Sequence, residues 1–297
     1  MTGGSLSTDA PVSVVRDFVS LTKPRIISLL LVTTIAPMFV AGSPSWFDVV
    51  IVSLGGYMMA GGANAVNMYM DRDIDDVMAR TRLRPIPSGR MLPIVVLSFG
   101  VALAVFATWL LGHFVNVLTA TLALGGFYFY VFIYTRWLKR TSPQNIVIGG
   151  AAGAFPPLVG WAAVTGRIDL LALYLFLIVF YWTPPHFWAL ALLKQRDYGK
   201  AGVPMAPLLW GERETMNQML WYTLILVALT ILPVAFGAFG PIYLASAVIL
   251  DALLLHGVLR VRREAVWTKA AWWTYKYSLL YLALLFVAMV LDRQLGW

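Results

Sequence analysis

Long apolar stretches separated by short polar segments run along most of the chain. Nine of these stretches approach the roughly 20 residues that an α-helix needs to cross a bilayer. They cover residues 25–41, 46–70, 92–111, 114–134, 143–165, 170–193, 219–236, 241–259 and 272–291. The breaks at 112–113 and 237–240 are short, and we interpret them as tight hairpins because about 40 apolar residues are too many for one crossing. The pattern predicts an all-α, polytopic membrane protein with a bundle of nine transmembrane helices.

Composition agrees with this class. The chain is 60% hydrophobic and 12% charged, whereas soluble domains carry roughly 25% charged residues. It contains no cysteine, which excludes disulfides, thiolate metal sites and cysteine nucleophiles. Residues 1–21 lack the apolar run and cleavage site of a signal peptide, and we expect a disordered cytoplasmic tail there. Residues 22–297 are predicted to form a single transmembrane domain.

The positive charges predict how the chain is oriented. With nine spans, all but two of the 22 lysine and arginine residues fall on one side of the membrane, the exceptions being Arg167 and Arg293. Short loops rich in Lys and Arg stay on the cytoplasmic side. We therefore expect the amino terminus inside and the carboxyl terminus outside, in the inner (plasma) membrane of a bacterium. The net charge of +8 follows from this bias and needs no nucleic acid to explain it.

A polar stripe marks the end of the second apolar stretch. Asn67, Asp71 and Asp75 are four residues apart, so each side chain advances only about 40° around a helix. Asn64 lies on the same face, while Asp73 points roughly to the opposite side. Two carboxylates and an amide on one face suit a hard cation that holds phosphate oxygens. The alternative is a solvated helix end whose acids pair with nearby arginines.

The loop that follows the stripe is rich in arginine and ends in a Pro-x-Pro turn. Its sequence, residues 79–90, is ARTRLRPIPSGR. Guanidinium groups match phosphate or carboxylate oxygens in a bidentate manner. Arg80 and Arg84 are therefore candidates for binding phosphate oxygens, and the resemblance given below makes that phosphate a diphosphate. A topology signal with lipid-headgroup contacts is the alternative.

These motifs resemble those of a known family. The stripe and the loop from Arg80 to Gly89 resemble the first signature of the UbiA-type intramembrane prenyltransferases. Three later segments resemble the branch of that family that farnesylates protohaem IX. They are residues 141–161 (TSPQNIVIGGAAGAFPPLVGW), 181–188 (YWTPPHFW) and 197–205 (DYGKAGVPM).

The resemblance implies a nine-helix bundle around a central cavity, with farnesyl diphosphate bound through Mg²⁺ at its cytoplasmic mouth. It assigns Asp71 and Asp75 as metal ligands, with Asn67 beside them in the catalytic site and Asn64 at the diphosphate. The implied reaction transfers the farnesyl group to a vinyl group of protohaem IX, with addition of water. Such an enzyme would serve haem biosynthesis for terminal oxidases, and a downstream haem-modifying oxidase is an expected partner.

The loop after the sixth stretch departs from the wider family. A second pair of carboxylates four residues apart is typical there, but this chain has Asp197 followed by Ala201, so a symmetric second magnesium site is not predicted. The haem-type pattern itself has this form. We expect Asp197 to complete the diphosphate site, and Lys194 and Lys200 to pair with phosphates or haem propionates. A generic charged loop is the alternative for each lysine.

Three polar residues lie deeper in the predicted bundle. His186 follows Pro184-Pro185 in mid-membrane, and we assign it as a haem ligand or propionate partner because ionisable residues at that depth are functional candidates. A histidine satisfied by a neighbouring helix is the alternative. Asn145 is a second candidate for haem contact, with helix packing as an equal reading. Asp251 lies in the middle of the eighth apolar stretch, where an ionisable side chain costs free energy, and we assign it no role.

Two other functions were weighed against farnesyl transfer to protohaem. The same fold could prenylate a quinone precursor or a chlorophyll-type ring, but His186 after two prolines and the lack of an acid at position 201 favour haem. A transporter could use Asp251 and His186 as a proton relay. The clustering of acids at one face and the lack of obvious inverted repeats speak against it.

Overall fold

The computed structural model describes residues 14–296, and these form helices without any strand. Nine helical segments of this described part are long and apolar enough to cross a membrane, which confirms the predicted fold class. They are α2 (Pro24–Ala41), α3 (Trp46–Met70), α5 (Pro93–Phe114), α6 (Val117–Tyr128) with its continuation, α8 (Asn145–Gly149) with α9 (Ala151–Thr165), α10 (Leu170–Lys200), α12 (Glu212–Ala235), α13 (Pro241–Arg263) and α14 (Thr268–Gln294). The short helices are α1 (Val14–Thr22), α4 (Arg72–Val77), α7 (Lys139–Thr141) and α11 (Ala206–Leu209).

The predicted tail is partly helical. Residues 1–13 lie outside the described part of the chain, but residues 14–21 belong to α1, so the expectation of disorder is wrong for them. The reason is packing, because Leu21 is fully buried and Phe18 lies edge-on to Phe99 with ring centroids 4.9 Å apart. Leu21 shares its cluster with Ala65 of α3. An amphipathic helix of this kind gains its stability from the face it buries.

Several helices extend beyond the apolar stretches that predict them. Helix α10 ends at Lys200 rather than near 193, and α12 begins at Glu212 rather than near 219. Hydropathy registers only the residues that cross the hydrocarbon region, whereas the backbone hydrogen bonds of a helix continue into water. The extension of α10 matters for function, since it brings residues 194–200 into the helix rather than into a loop.

Close helix crossings rely on glycine at two places. A Cβ added to Gly62 of α3 would lie 2.6 Å from the carbonyl oxygen of Gly100 in α5. A Cβ on Gly160 of α9 would lie 1.8 Å from the carbonyl oxygen of Thr34 in α2. Small residues allow transmembrane helices to approach this closely, and packing of this kind replaces the hydrophobic effect within the bilayer.

The fourth span changes its helical winding near its end. Helix α6 continues as a π-helix over Phe129–Leu138 and ends in α7. Thr135, which is buried within this π-helix, donates its hydroxyl to the carbonyl oxygen of Tyr130 at 2.9 Å. Wider winding changes which side chains face the neighbouring helix, and π-helical turns occur frequently at functional sites. Here it brings Thr135 and Lys139 to the polar end of α3.

Candidate active site

The Asn/Asp stripe continues across a small break between two helices. Helix α3 ends at Met70 and α4 begins at Arg72, with Asp71 as the connecting residue. The amide of Asp71 still donates to Asn67 O at 2.9 Å, and the amide of Asp75 donates to Asp71 O at 2.7 Å. Helical spacing is therefore kept, and Asn64, Asn67, Asp71 and Asp75 share one buried face, at 6%, 4%, 0% and 2% exposure.

Each carboxylate of the stripe is paired with a cation. Lys139 donates to Asp71 Oδ2, and Arg84 Nη1 donates to both oxygens of Asp75, at 2.8 and 2.6 Å. Asn67 Nδ2 also donates to Asp71 Oδ2, at 2.7 Å. The other oxygen, Asp71 Oδ1, is buried and accepts no hydrogen bond among the described residues, although Arg140 Nη2 lies 3.7 Å from it. A buried oxygen of this kind is costly unless a ligand satisfies it.

Lys23 forms the third positive group of the site. It is the one non-glycine residue of the described chain with a positive φ, 55°, and it joins α1 to α2. Its ammonium lies 3.3 Å from both Asn64 Oδ1 and Asn67 Oδ1. Burial, reinforced by repulsion from Arg84 and Lys139, lowers the pKa of Lys23 to about 7. The group can therefore change its charge when an anion arrives.

Asp73 lies outside this face, as its spacing predicts. Its side chain is 62% exposed and pairs with Arg140, whose Nη1 and Nη2 donate at 2.7 and 2.8 Å. These hydrogen bonds lower the pKa of Asp73 to about 2. Arg140 Nη2 also donates to Met70 O at 2.9 Å. Arg140 thus joins α7 to the end of α3 and orients the adjacent Lys139.

The arginine-rich loop reaches the end of α10. Arg80 Nη2 lies 3.3 Å from Tyr198 Oη, and its guanidinium carbon is 5.5 Å from the centre of that ring. Asp197 is the neighbour of Tyr198 on α10, and its side chain is half-buried. Arg80 thus contacts the residue that follows Asp197 in the chain, and the roles of both at a diphosphate stay predictions.

The two candidate lysines of α10 lie in different surroundings. Lys200 lines a cavity of about 270 Å³ together with Asp73 and Arg140. Lys194 instead lies over the ring of Trp272, with its ammonium 5.6 Å from the ring centre. A cation over an aromatic face is already stabilised. Of the two, Lys200 is the one near the Asp73–Arg140 pair beside the stripe.

His186 is held between aromatic rings. Trp182 and Tyr275 stack on its two faces, with centroid distances of 4.4 and 4.9 Å, and its Nδ1 lies 2.7 Å from Ser278 Oγ. The imidazole is 5% exposed. Both faces and one nitrogen are thus in use, and a haem ligand or propionate would have to approach Nε2. The contact of Nδ1 with Ser278 of α14 matches the alternative in which a neighbouring helix satisfies this histidine.

Asn145 begins α8 and is fully buried. Its Nδ2 donates to Ser142 O at 2.7 Å and to Pro204 O at 3.3 Å. These bonds join α8 to the segment after α10, which is the packing role weighed for this residue. Its Oδ1 has no hydrogen-bond partner among the described residues, and this oxygen is the group with which it could contact a substrate.

Sequence reasoning missed several residues of the site. Lys23 and Lys139 were counted only as topology signals, although they contact the amides and the carboxylate of the stripe. Thr135 accepts from Asn67 Nδ2 at 3.1 Å, and Tyr198 contacts Arg80. The signal available for Lys23 is its position directly before the helix-starting Pro24. For Lys139 the sequence offers only its place at the end of a span.

The donor set fits a hard divalent cation that brings its own oxygen ligands. The described residues contain no group of three or more His, Cys, Asp or Glu side chains that could hold a metal alone. Mg²⁺ commonly uses one or two carboxylates together with waters and substrate phosphates. Asp71 and Asp75, with a buried oxygen on Asp71 that accepts no hydrogen bond among the described residues, meet that requirement.

Comparison with known proteins identifies the family. The model of the UbiA prenyltransferase family matches residues 29–284. The chain belongs to the UbiA prenyltransferase family. The match confirms the family predicted from the stripe and the arginine-rich loop.

Curated relatives narrow the likeness within the UbiA family. A protoheme IX farnesyltransferase of Roseiflexus sp. (strain RS-1) is 57% identical over 283 residues, which are 95% of this chain and 53% of that protein. The Chloroflexus aurantiacus protein of the same name is 54% identical and covers 98% of this chain and 50% of its own length. The chain therefore spans about half the length of these relatives. A Symbiobacterium thermophilum relative with that name is 52% identical over 94% of both chains.

Solved structures of UbiA proteins share the fold. A digeranylgeranylglyceryl phosphate synthase has a TM-score of 0.74 at 18% identity, covering 94% of this chain and 98% of that one. A UbiA homolog from Archaeoglobus fulgidus bound to GPP and Mg²⁺ has a TM-score of 0.65 at 16% identity, covering 92% and 99%. At such identities the likeness establishes the fold, and this protein is a multi-pass membrane protein of the UbiA type.

Proposed function

We propose that this protein transfers the farnesyl group of farnesyl diphosphate to a vinyl group of protohaem IX. The observation that carries the proposal is the buried Asn/Asp stripe whose two carboxylates are each paired with a cation. The carboxylates would suit a metal ion, and the paired cations would suit the anionic ligand that brings it. The identity of 52% to the Symbiobacterium relative over 94% of both chains supports protohaem as the acceptor.

Asp71 and Asp75 are the residues that would hold the magnesium. When bound, Mg²⁺ offsets the negative charge that develops on diphosphate as the C–O bond ionises. Asn67 donates to Asp71 Oδ2 at 2.7 Å, which orients this carboxylate and leaves Oδ1 without a hydrogen bond. Asn64 Nδ2 donates to Thr22 O at 3.0 Å, and this bond holds the junction between α1 and α2 where Lys23 lies.

The basic residues would bind the phosphate oxygens. Lys139 and Arg84 pair with the two carboxylates, and they would be free to bind phosphate oxygens if a cation took their place on Asp71 and Asp75. Lys23 supplies a charge that the anion itself stabilises, and Arg80 approaches from the side of Tyr198. Asp197 and Lys200 are proposed to complete this end of the site. Fixed cations aimed at a leaving group lower its barrier without reorganisation.

The acceptor needs no protein nucleophile. An electron-rich vinyl carbon of protohaem attacks the allylic carbon of the farnesyl group as diphosphate leaves, and water captures the resulting cation with loss of a proton. What the chain supplies is orientation and control of water. His186, through Nε2, and Asn145 are the proposed haem contacts. Lys194 would pair with a haem propionate by moving its ammonium away from the ring of Trp272.

The remaining expectations follow from this proposal. We infer a location in the inner membrane of a bacterium, with the amino terminus cytoplasmic and the carboxyl terminus outside. The lipophilic product would pass to a downstream haem-modifying oxidase. A quinone precursor or another ring acceptor is the second candidate, because the UbiA fold alone does not specify the acceptor.

One assay tests the proposal directly. Membranes containing the protein receive protohaem, a phenolic quinone precursor, labelled farnesyl diphosphate and magnesium, and the haem and phenolic fractions are analysed for farnesylated products. Membranes with the Asp71→Asn variant are the matched control. Label in haem with the wild type, and its loss in the control, are expected. Label on a phenolic acceptor instead would replace protohaem by the second candidate.

A further inference from the structure

An ion pair joins helix α1 to the arginine-rich loop, beside the apolar cluster that holds Leu21 and against which Ile86 of the loop packs. Arg90 Nε donates to Asp17 Oδ1 and Oδ2 at 3.2 and 3.1 Å, and Arg90 Nη2 donates to Asp17 Oδ1 at 3.0 Å. Asp17 is 5% exposed. Arg90 itself is exposed, so solvent screens its side of the pair, but loss of Arg90 would leave the buried Asp17 carboxylate without compensation. This pair therefore helps to fix where the loop lies relative to α1.

The same guanidinium also organises the backbone around Arg84. Arg90 Nη2 donates to Leu83 O at 3.1 Å, and Arg90 Nη1 donates to Ser88 Oγ at 2.6 Å. Ser88 Oγ in turn donates to Arg84 O at 2.7 Å. Arg90 thus holds the carbonyl group that precedes Arg84 directly, and it holds the carbonyl group of Arg84 itself through Ser88. Arg84 is the residue that pairs with Asp75 in the stripe.

The other end of α1 reaches the opposite side of the site. Thr22 ends the helix, and its carbonyl oxygen accepts a hydrogen bond from Asn64 Nδ2. The next residue, Lys23, places its ammonium against Asn64 and Asn67. Its left-handed backbone is a strained conformation for a lysine, and such strain persists only where surrounding contacts maintain it. The packing of Leu21 in its buried cluster supplies part of that support.

We propose that Asp17 and Arg90 are positioning residues of the diphosphate site. They act through α1 and the loop, holding Arg84 at one edge of the stripe and Lys23 at the other before the anion binds. The inference rests on the proposed function in one respect, namely that the stripe binds diphosphate. Neither residue touches that ligand. Their effect is preorganisation, in which the binding groups are fixed in advance by supporting contacts.

Binding of magnesium pyrophosphate tests this without any turnover. Removing the charge with Asp17→Asn or Arg90→Gln is expected to raise the Kd about tenfold, since loss of one partner of a buried charged hydrogen bond is expensive. Because the two residues act as one unit, the double variant should bind no more weakly than either single one. Asp17→Glu should recover most of the affinity. Arg16→Gln, an exposed charge on the same helix, is the matched control and should bind like the wild type.

A spin-label measurement separates positioning from simple loss of fold. The chain has no cysteine, so labels can be attached at Val15→Cys on α1 and Arg82→Cys in the loop, both exposed positions. A narrow distance distribution is expected, broadened by Asp17→Asn and restored by Asp17→Glu. Unchanged pyrophosphate affinity and an unchanged distribution in Asp17→Asn would overturn the inference. Failure of the wild type itself to bind pyrophosphate would overturn the proposed function, and the distance distribution would still decide whether the pair orders the loop.

Discussion

Buried carboxylates occur in two different settings in this molecule. Asp71 and Asp75, at the end of α3, are paired with Lys139 and Arg84. Asp251, in α13, accepts hydrogen bonds only from hydroxyl groups among the described residues, those of Thr230 at 2.6 Å and Tyr281 at 2.7 Å. The comparison shows two solutions to the cost of burying an acid, one by opposite charge and one by neutral donors.

The two settings suit different roles. A lysine or arginine that neutralises a carboxylate can turn to a phosphate when a metal ion replaces it, so the first setting can exchange partners. The donors to Asp251 come from α12 and α14, so this acid joins three helices. Tyr243 strengthens the same region by donating to Thr230 O at 2.8 Å. We interpret Asp251 as a structural tie.

These contacts also bear on the proton-relay alternative. Asp251 bonds to Thr230 and Tyr281, whereas His186 bonds to Ser278. The two proposed relay groups thus have separate partners in the described chain. A helix-joining role explains the contacts of Asp251, and an aromatic cage explains those of His186.

The largest expected effect is at the stripe. Asp71→Asn or Asp75→Asn should lower farnesyl transfer by at least about a hundredfold, because groups aimed at developing charge each contribute about 10²–10³ in kcat. The measurement is product formation in membranes with equal amounts of inserted protein. Asp251→Asn, the matched buried acid, should keep activity close to the wild type. Similar losses in all three variants would erase the distinction between the two settings.

The next effect concerns stability. Asp251→Leu leaves the buried hydroxyl of Tyr281 without its acceptor, whereas Thr230 can still donate to Val227 O at 2.9 Å, so the free energy of unfolding should fall by about 1–3 kcal/mol. Thermal unfolding in detergent measures this. Asp251→Asn keeps an acceptor and should unfold at a temperature between those of the wild type and Asp251→Leu. A protein whose stability does not respond to either change would contradict the structural role.

A smaller and more selective effect is expected at His186. His186→Ala should raise the KM for protohaem by about tenfold, the loss of one ligand contact worth about 1.4 kcal/mol, and leave the KM for farnesyl diphosphate unchanged. His256→Ala, at an exposed histidine of α13, is the control. Equal rises for both substrates would assign His186 to packing alone.

The smallest effect is a dependence on pH. Since the pKa of Lys23 is lowered to about 7, this group is mostly neutral above pH 7 in the free protein. A bound anion stabilises its charged form and raises its pKa, so binding takes up a proton, and affinity falls as pH rises through 7.

Calorimetry in buffers of different ionisation heat measures the proton uptake on addition of pyrophosphate. Lys23→Arg stays charged throughout this range, so it should lack this uptake. Comparing the two proteins removes the titration of pyrophosphate itself. Identical uptake by both would exclude Lys23 as the titrating group.

Much of the fold follows from the sequence because the bilayer leaves few options. Unpaired backbone groups are too costly in hydrocarbon, so an apolar stretch of sufficient length becomes a helix. The stripe was equally predictable, since the four-residue spacing of Asn67, Asp71 and Asp75 survives the break at Asp71. Helix α1 was missed because its apolar residues are few and their stability comes from contacts with α3 and α5.

The arginines of the site could be predicted from the sequence, but its two lysines, Lys23 and Lys139, could not. Lys23 and Lys139 occur where basic residues also set topology, and hydropathy cannot separate the two uses. The π-helix over Phe129–Leu138 changes the direction of the side chains before Lys139, and no periodicity of 3.6 residues anticipates it. The partners of Asp17 and Asp71 lie far away in sequence, at Arg90 and Lys139, and only the fold brings them together.

Calorimetric titration of farnesyl diphosphate, with and without magnesium, tests the central claim most directly. The account predicts magnesium-dependent binding by the wild type and by Asp251→Asn, and loss of the magnesium dependence in Asp71→Asn. Binding that is indifferent to magnesium in the wild type, or unaltered in Asp71→Asn, would contradict the claim that the charge-paired stripe is the diphosphate site.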